Sequence, residues 1–306
     1  MAVYEQTYKR YAGKLTPEWS RFLIIPRHAY ESIFSSKLFT AFFVICFLPT
    51  LIEAIFIYLH HNVTALTIMQ ASVRDLLPID NSFFRFFTYV QGIFAFFLAV
   101  LIGPPLVARD LRNNALPLYL CRPFSRTEYV MGKMSVILIL LSAVTWVPQL
   151  ILFFFQSYLQ GFAWFKANLW IGSAIFLANL VWILLLALLT QTISALVKWR
   201  VVASGLLLGL FIVPSAFAQI INLLFQTRWG SLISLSNLMI SVTDGLFGLF
   251  SRVTGSIAIR DFDDNVVREI ILIEPPLWVS WGALFVVCAI CLALLSWKVK
   301  AYEVVK

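Results

Sequence analysis

The sequence has little charge. Of its 306 residues only 12% are Asp, Glu, Lys or Arg, whereas 61% are apolar. A soluble globular domain carries about 25% charged and about 45–50% apolar residues. These proportions exclude an ordinary soluble domain and predict a polytopic membrane protein built from spanning helices.

Several catalytic and nucleotide-binding motifs are also missing. A phosphate-binding P-loop ending at "GK" would need Gly at 127 and Ser or Thr at 134, but the chain has Thr127 and Met134. Neither H-E-x-x-H nor G-x-S-x-G occurs. The C-x-x-C formed by Cys288 and Cys291 is embedded in an apolar run, which favours buried helix residues over redox chemistry. We therefore expect a non-enzymatic chain with no cofactor, metal or ATP site of its own and no nucleic-acid partner.

Long apolar runs are abundant, and a spanning helix needs about 20 such residues. Six windows of the sequence qualify, at about 38–59, 84–108, 130–158, 168–197, 201–225 and 277–297. The fold class we predict is an all-α membrane protein with six transmembrane helices. Residues 1–37 form a cytoplasmic leader, residues 38–306 form the transmembrane domain, and residues 226–276 form a long outer loop.

The positions of the cations predict the orientation. With the N-terminus inside, about two thirds of the 23 Lys and Arg residues fall in the leader, in 109–133, in 198–200 and after 297. Positively charged loops stay on the cytoplasmic side. We therefore expect both termini to be cytoplasmic in a bacterial-type inner membrane.

Two segments outside the spans have patterns of their own. Apolar residues recur at near-helical spacing in 19–37, which predicts an amphipathic helix in the cytoplasmic leaflet, bent near Pro26. The outer loop contains a moderately apolar stretch at 231–250, which predicts short helices at the outer leaflet. The acidic "RDFDDN" at 260–265 is read as a solvated turn, because its spacing is a weak calcium signal.

Three residues within the spans are candidates for special roles. Glu53 is an acid inside the first span, where such groups face a bundle interior or cavity, or reach the outer interface. Both interpretations stay open, and Pro49 nearby can kink the helix. Gly205 and Gly209 form a G-x-x-x-G that allows close helix contact, within the chain or across a dimer.

The stretch "RDLRNNALPLYLCRPFSRTEYVMGK" at 109–133 is a polar insert between two spans. It carries five Lys or Arg residues and follows Pro104 and Pro105, which we expect to end or kink the second span. Ser125 and Glu128 have the spacing of a capping box, so a helix should begin there. A short helix lying across the cytoplasmic base of the bundle would suit docking to a partner.

This insert resembles the cytoplasmic segment of ABC type-2 transporter permeases, and the chain is similar to permeases of nitrous-oxide-reductase maturation systems. The family pattern is a charged start, a leucine run, and then "S-R-P", "S-R", an acid, an aromatic and "G-K". The matching residues here are Asp110, Leu111, Arg112, Ala115, Leu116, Leu118, Leu120, Arg122, Pro123, Ser125, Arg126, Glu128, Tyr129, Gly132 and Lys133. Asn114 and Cys121 depart from the usual Gly and Ser.

The resemblance implies a permease subunit that forms a translocation pathway as a dimer with a second copy or a homologue. A separate cytoplasmic ABC ATPase would bind ATP and magnesium and drive the permease, and most such systems export. The coupling residues it implies are Asp110, Leu111, Arg112, Leu116, Leu118, Leu120, Arg122, Pro123 and Arg126. Glu53 is the candidate pathway residue. The alternative is a non-transporting structural or assembly subunit, whose insert docks something other than an ATPase.

Overall fold

The computed structural model describes residues 24–62, 78–112, 126–197, 199–260 and 266–298. Its long elements are helices, and a two-stranded sheet joins them. The helices are α1 Ile24–Phe34, α2 Lys37–Ile45, α3 Leu48–His61, α4 Asn81–Arg112, α5 Arg126–Val144, α6 Trp146–Gln160, α7 Phe162–Leu196, α8 Arg200–Phe225, α9 Leu235–Leu246 and α10 Leu277–Lys298.

Six stretches of these helices are long and apolar enough to cross a membrane, as the sequence predicts. They are Lys37–His61, Asn81–Pro104, Glu128–Gln160, Phe162–Leu196, Arg200–Phe225 and Leu277–Lys298. Their apolar surfaces are large because lipid, rather than water, is the solvent for a spanning segment. The prediction of a multi-pass membrane protein is confirmed at this level.

The fourth span, α7, is the central helix of the bundle. Of its most apolar window 61% is buried, against 22% for the first, fifth and sixth spans. Its most extensive contact is with α4, and it also packs against α5, α6, α8, α9 and α10. A helix that is apolar on every side fits such a position, because neighbouring helices cover it all round.

Helix α4 does not end at Pro104 and Pro105 and continues through them to Arg112. Pro104 has no N–H to donate to the carbonyl of Val100. The hydroxyl of Ser204 donates to that carbonyl at 3.2 Å instead, and Ser194 donates to the carbonyl of Pro104 at 2.9 Å. Of the two expected outcomes, the apolar span does end at Pro104, but the helix itself continues, and the Ser204 hydroxyl of α8 replaces one of the missing donors.

The first and third spans are each made of two helices. The break between α2 and α3 falls at Cys46 and Phe47, directly before Pro49, in keeping with the kink that the proline predicts. The break between α5 and α6 falls at Thr145, shortly before Pro148. Both breaks lie where a proline removes a backbone donor.

The fourth span starts at Phe162, earlier than the sequence predicts. The sequence predicts a start at about 168. In the structure Lys166 lies within α7, and its ammonium group lies 5.5 Å from the centre of the Phe162 ring. A long lysine side chain near a helix end can reach the interface from inside a span.

The 226–276 segment contains the predicted short helices and a hairpin that was not predicted. A 3-10 helix covers Trp229–Ile233, and α9 follows after Ser234, whose hydroxyl accepts from the N–H of Asn237. Strands β1 Val253–Arg260 and β2 Val266–Ile273 then pair antiparallel. Residues 261–265 of the predicted acidic turn lie outside the described residues.

Helix α1 covers only part of the predicted 19–37 helix, and Pro26 lies in its first turn. Ala29, Tyr30 and Ile33 pack against the core of the bundle, and the helix contacts α5. Burial raises the pKa of Tyr30. Residues 19–23 lie outside the described residues, and a place in the membrane interface stays a prediction.

Candidate functional site

The interior of the bundle contains a line of uncharged polar side chains and one carboxyl group. All of them are less than a tenth exposed. They belong to α3, α4, α6 and α7, and we call this set of side chains the polar seam. Its members are Gln91, Thr88, Gln149, Asn179, Glu53 and Gln156. Polar groups within a membrane are costly unless they hydrogen-bond, so such a line calls for a physical reason.

Gln91 joins the two helix breaks. Its amide nitrogen donates to the carbonyl of Cys46 at 2.9 Å and to the carbonyl of Val144 at 2.6 Å. Pro148 leaves the Val144 carbonyl without its usual helical donor. One side chain of α4 therefore holds the first and third spans together at the same depth, where both helices are interrupted.

Gln149 of α6 forms hydrogen bonds with two other helices, α4 and α7. Its amide nitrogen donates to the carbonyl of Phe84 at 3.0 Å and to the hydroxyl of Thr88 at 2.8 Å, both on α4. Its amide oxygen accepts from Asn179 of α7 at 3.1 Å. Interhelical hydrogen bonds of this kind contribute about 0.6–2 kcal/mol each in membranes.

Glu53 and Gln156 lie nearer the end of the bundle at which α3 and α6 terminate. Glu53 is 2% exposed and Gln156 is 0% exposed. Among the residues that the structure describes, neither Glu53 Oε1 nor the two amide atoms of Gln156 have a hydrogen-bond partner. Of the two readings that the sequence left open for Glu53, burial inside the bundle is the one observed.

A charged cluster joins the two ends of the 109–133 insert, and we call it the Asp110 cluster. Lys133 Nζ lies 2.9 Å from Asp110 Oδ2, and the hydroxyl of Tyr129 donates to the same oxygen at 2.8 Å. The ammonium group also lies 5.8 Å from the centre of the Tyr129 ring. The cluster is mostly buried, with side-chain exposures of 9% for Lys133 and 15% for Asp110. It ties the end of α4 to the start of α5.

A second charged cluster lies at the opposite end of α4, and we call it the Asp244 cluster. Arg85 donates to Asp244 Oδ1 at 2.9 Å, and the hydroxyl of Tyr89 donates to the same oxygen. Asn81 adds a hydrogen bond to the carbonyl of Phe247 at 2.8 Å. Helix α9 is therefore attached to the first two turns of α4.

The structure describes few of the predicted coupling residues. The side chain of Asp110 is visible and turns to Lys133, within the bundle. The backbone of Leu111 and Arg112 continues α4, and Arg126 begins α5. The other predicted coupling residues lie outside the described part of the chain: Leu116, Leu118, Leu120, Arg122 and Pro123.

The predicted glycine pair lies on an open face of α8. An added Cβ at Gly205 or Gly209 would meet nothing within 4 Å in the described part of the chain. The two glycines line a shallow apolar groove that runs from Val202 to Pro214. Close helix packing occurs instead at Gly103, where an added Cβ would lie 2.5 Å from the Cβ of Thr190. An added Cβ at Gly245 of α9 would likewise lie 2.5 Å from Leu277 of α10, so the close contacts that glycine allows within the described residues are at positions other than the predicted pair.

Most of the seam and both clusters were not predicted. The glutamines at 91, 149 and 156 interrupt apolar runs, but they match no motif of catalysis, metal binding or helix contact. The glutamines at 149 and 156 lie seven positions apart, which places them on one helix face, and that spacing could have revealed the seam. Nothing local in the sequence pairs Arg85 with Asp244.

Comparison of the sequence with protein-family models found no match. None of the curated proteins is similar enough to count as a relative. The specific part of the likeness to ABC type-2 permeases is the motif of the insert, and the family stays a prediction.

Proposed function

We propose that the protein is the permease subunit of an ABC exporter, with both termini and the insert on the cytoplasmic side of a bacterial-type inner membrane. The motif in 109–133 supports this proposal, as do the six apolar spans. A separate ATPase binds ATP and magnesium and docks on the insert. The subunit works as a dimer with a second copy or a homologue.

The observation that carries the proposal is the Asp110 cluster. A docking element can drive a membrane bundle only if it is attached firmly to the helices that move. Asp110 closes α4 and Lys133 lies in the second turn of α5, and their buried ion pair clamps both ends of the insert. A push on the insert is thereby transmitted to two spans at once.

The polar seam supports a translocation role for the bundle. A subunit with a purely structural role does not require buried polar groups that lack hydrogen-bond partners. Here Glu53 and Gln156 supply them, and two spans are interrupted at the depth of Gln91. Interrupted helices joined by one side chain can bend there, which gives the bundle a place to open.

The open face of α8 suits contact with a second permease copy. Gly205 and Gly209 leave a groove into which another helix can pack closely. A dimer built in this way would bury an apolar surface that no described residue of the same chain covers.

Copurification with an ATPase tests the coupling role. The protein is co-expressed, as wild type and as R112E and R126E, with each soluble ABC-type ATPase of its source organism in turn. Arg228 and Arg252, which lie at the opposite end of the bundle, provide the control variants R228E and R252E. We expect the insert variants to lose the bound ATPase, or its stimulation, and the control variants to keep both.

Two outcomes would contradict the proposal. If R112E and R126E retain the ATPase with unchanged activity, the insert is not the coupling element. If the wild-type protein binds no ATPase but copurifies with other membrane subunits, the assembly-subunit alternative is correct.

A further inference from the structure

We propose that Glu53 is a proton-binding site inside the membrane, and that opening of the polar seam is linked to release of this proton. The starting observation is a carboxyl group that is 2% exposed and whose Oε1 has no hydrogen-bond partner among the described residues. Glu53 lies about two helical turns, roughly 12 Å, from the end of α3 at His61. It is therefore well inside the apolar layer.

A carboxylate at this depth requires a cation, and the described residues of α4 and α6, the two helices with extensive contacts to α3, present none to it. On α4, Arg85 and Tyr89 are both engaged with Asp244. On α6, the titratable side chain is Tyr158, which is 84% exposed. On α3 itself, Tyr58 is 56% exposed, and His60 and His61 lie at the far end of the helix. An ionised carboxylate without a nearby cation is costly in lipid, whereas the neutral acid is tolerated.

The surroundings of Glu53 distinguish a proton from larger occupants. Ile57, Phe84 and Phe153 belong to the apolar cluster on this side of the bundle and are each at most 1% exposed. Phe56 of α3 packs on Phe87 of α4, with ring centres 6.4 Å apart. A metal cation would need several oxygen ligands, and an organic cation would need these rings to move apart. A proton needs only the carboxyl oxygen.

Gln156 provides a second polar group on the same side of the bundle. It is fully buried, and both its amide oxygen and its amide nitrogen lack a partner in the described residues. It lies about one turn from the end of α6 at Gln160. Such an amide can accept from a neutral acid or donate to a carboxylate, so this side of the bundle holds a second group, unpaired within the described residues, that is able to exchange hydrogen bonds with water once the bundle opens.

Opening of the seam would change which form of Glu53 is stable. Water that reaches the carboxyl group stabilises the ionised form, so an opened bundle releases the proton and a closed bundle takes it up. This linkage concerns Glu53 and its neighbours alone. It does not depend on an ATPase, and its failure would leave the coupling role of the insert untouched.

Carbodiimide labelling of the full-length protein in liposomes tests the site. Dicyclohexylcarbodiimide, which is soluble in lipid, adds to neutral carboxylic acids and leaves a stable N-acylurea that peptide mass spectrometry locates. We expect Glu53 to be modified near neutral pH and to resist a water-soluble carbodiimide supplied with an amine. Glu274, a partly exposed acid that follows β2, should show the opposite pattern.

Infrared spectroscopy detects the protonated carboxyl group directly, even if the reagent cannot reach Glu53. The wild type should show the carbonyl band of a protonated acid near neutral pH, and E53Q should lose it while keeping the thermal stability of the wild type. The proposal is overturned if Glu53 reacts with the water-soluble reagent as fully as Glu274 does. It is also overturned if the wild type shows neither the adduct nor the band.

Discussion

The carboxylate of Asp110 lies 2.9 Å from the ammonium group of Lys133, and these two residues stand on either side of the insert. Both are mostly buried at the end of the bundle. The two ends of the insert are therefore joined to each other. The contact fixes the last turn of α4 relative to the beginning of α5.

Disruption of this pair should be strongly destabilising. Removal of one partner of a buried ion pair leaves an uncompensated charge, which costs about 3–5 kcal/mol. We expect D110N and K133M each to lower the free energy of unfolding in detergent by about that amount. The double variant should lose less than the sum of the two.

The pair of His28 and Glu31 on α1 is a matched control. Its side chains are 74% and 66% exposed, so E31Q should leave the unfolding free energy unchanged. Strict additivity of D110N and K133M would show that the two side chains do not interact in the protein.

The Asp244 cluster should keep α9 attached to α4. The D244N variant replaces the charge that both Arg85 and Tyr89 contact. We expect faster hydrogen exchange of the α9 amides, Leu235–Leu246, with little change in α7. In the control variant D80N, faster hydrogen exchange should be confined to the first turn of α4, because Asp80 accepts from the N–H of Phe83. Unchanged exchange in α9 would show that the cluster does not hold this helix.

Two kinds of glycine should respond differently to alanine. At Gly103 the added methyl group collides with Thr190, so G103A should cost about 1–3 kcal/mol of stability. At Gly205 and Gly209 the space is open, so G205A and G209A should fold as well as the wild type. If these glycines contact a second copy, both variants should still reduce the dimer fraction measured by light scattering. A destabilised G205A monomer would contradict the open face.

The bridge formed by Gln91 should be needed for the two interrupted spans. The Q91L variant leaves the carbonyls of Cys46 and Val144 without this donor, which should cost on the order of 2 kcal/mol. Hydrogen exchange should rise at both breaks together. The control Q219L changes an exposed glutamine of α8 and should not destabilise the protein. A rise at only one break would show that Gln91 does not couple them.

The spans could be predicted because lipid imposes one simple requirement on length and apolarity. The errors lie where a local rule was overruled by a tertiary contact. Pro104 does not end α4, because Ser204 donates to the carbonyl of Val100.

The hairpin was missed for a different reason. Its strands have the β-branched composition of "VTGSIAIR" and "VVREIILI" on either side of a polar turn, which is a strand signal. In a chain dominated by spanning helices, this signal was read as part of an outer loop. The polar seam was missed because its members come from four helices, and no local pattern brings them together.

Photo-crosslinking from the insert is the most direct test of the account. A photoreactive amino acid is introduced at Leu118, in the centre of the insert, and separately at Trp229, at the opposite end of the bundle and 54% exposed. In cells that co-express the ABC-type ATPase found by copurification, the account predicts a crosslink to this ATPase from position 118 and none from position 229. A crosslink from 229, or none from 118, would contradict it.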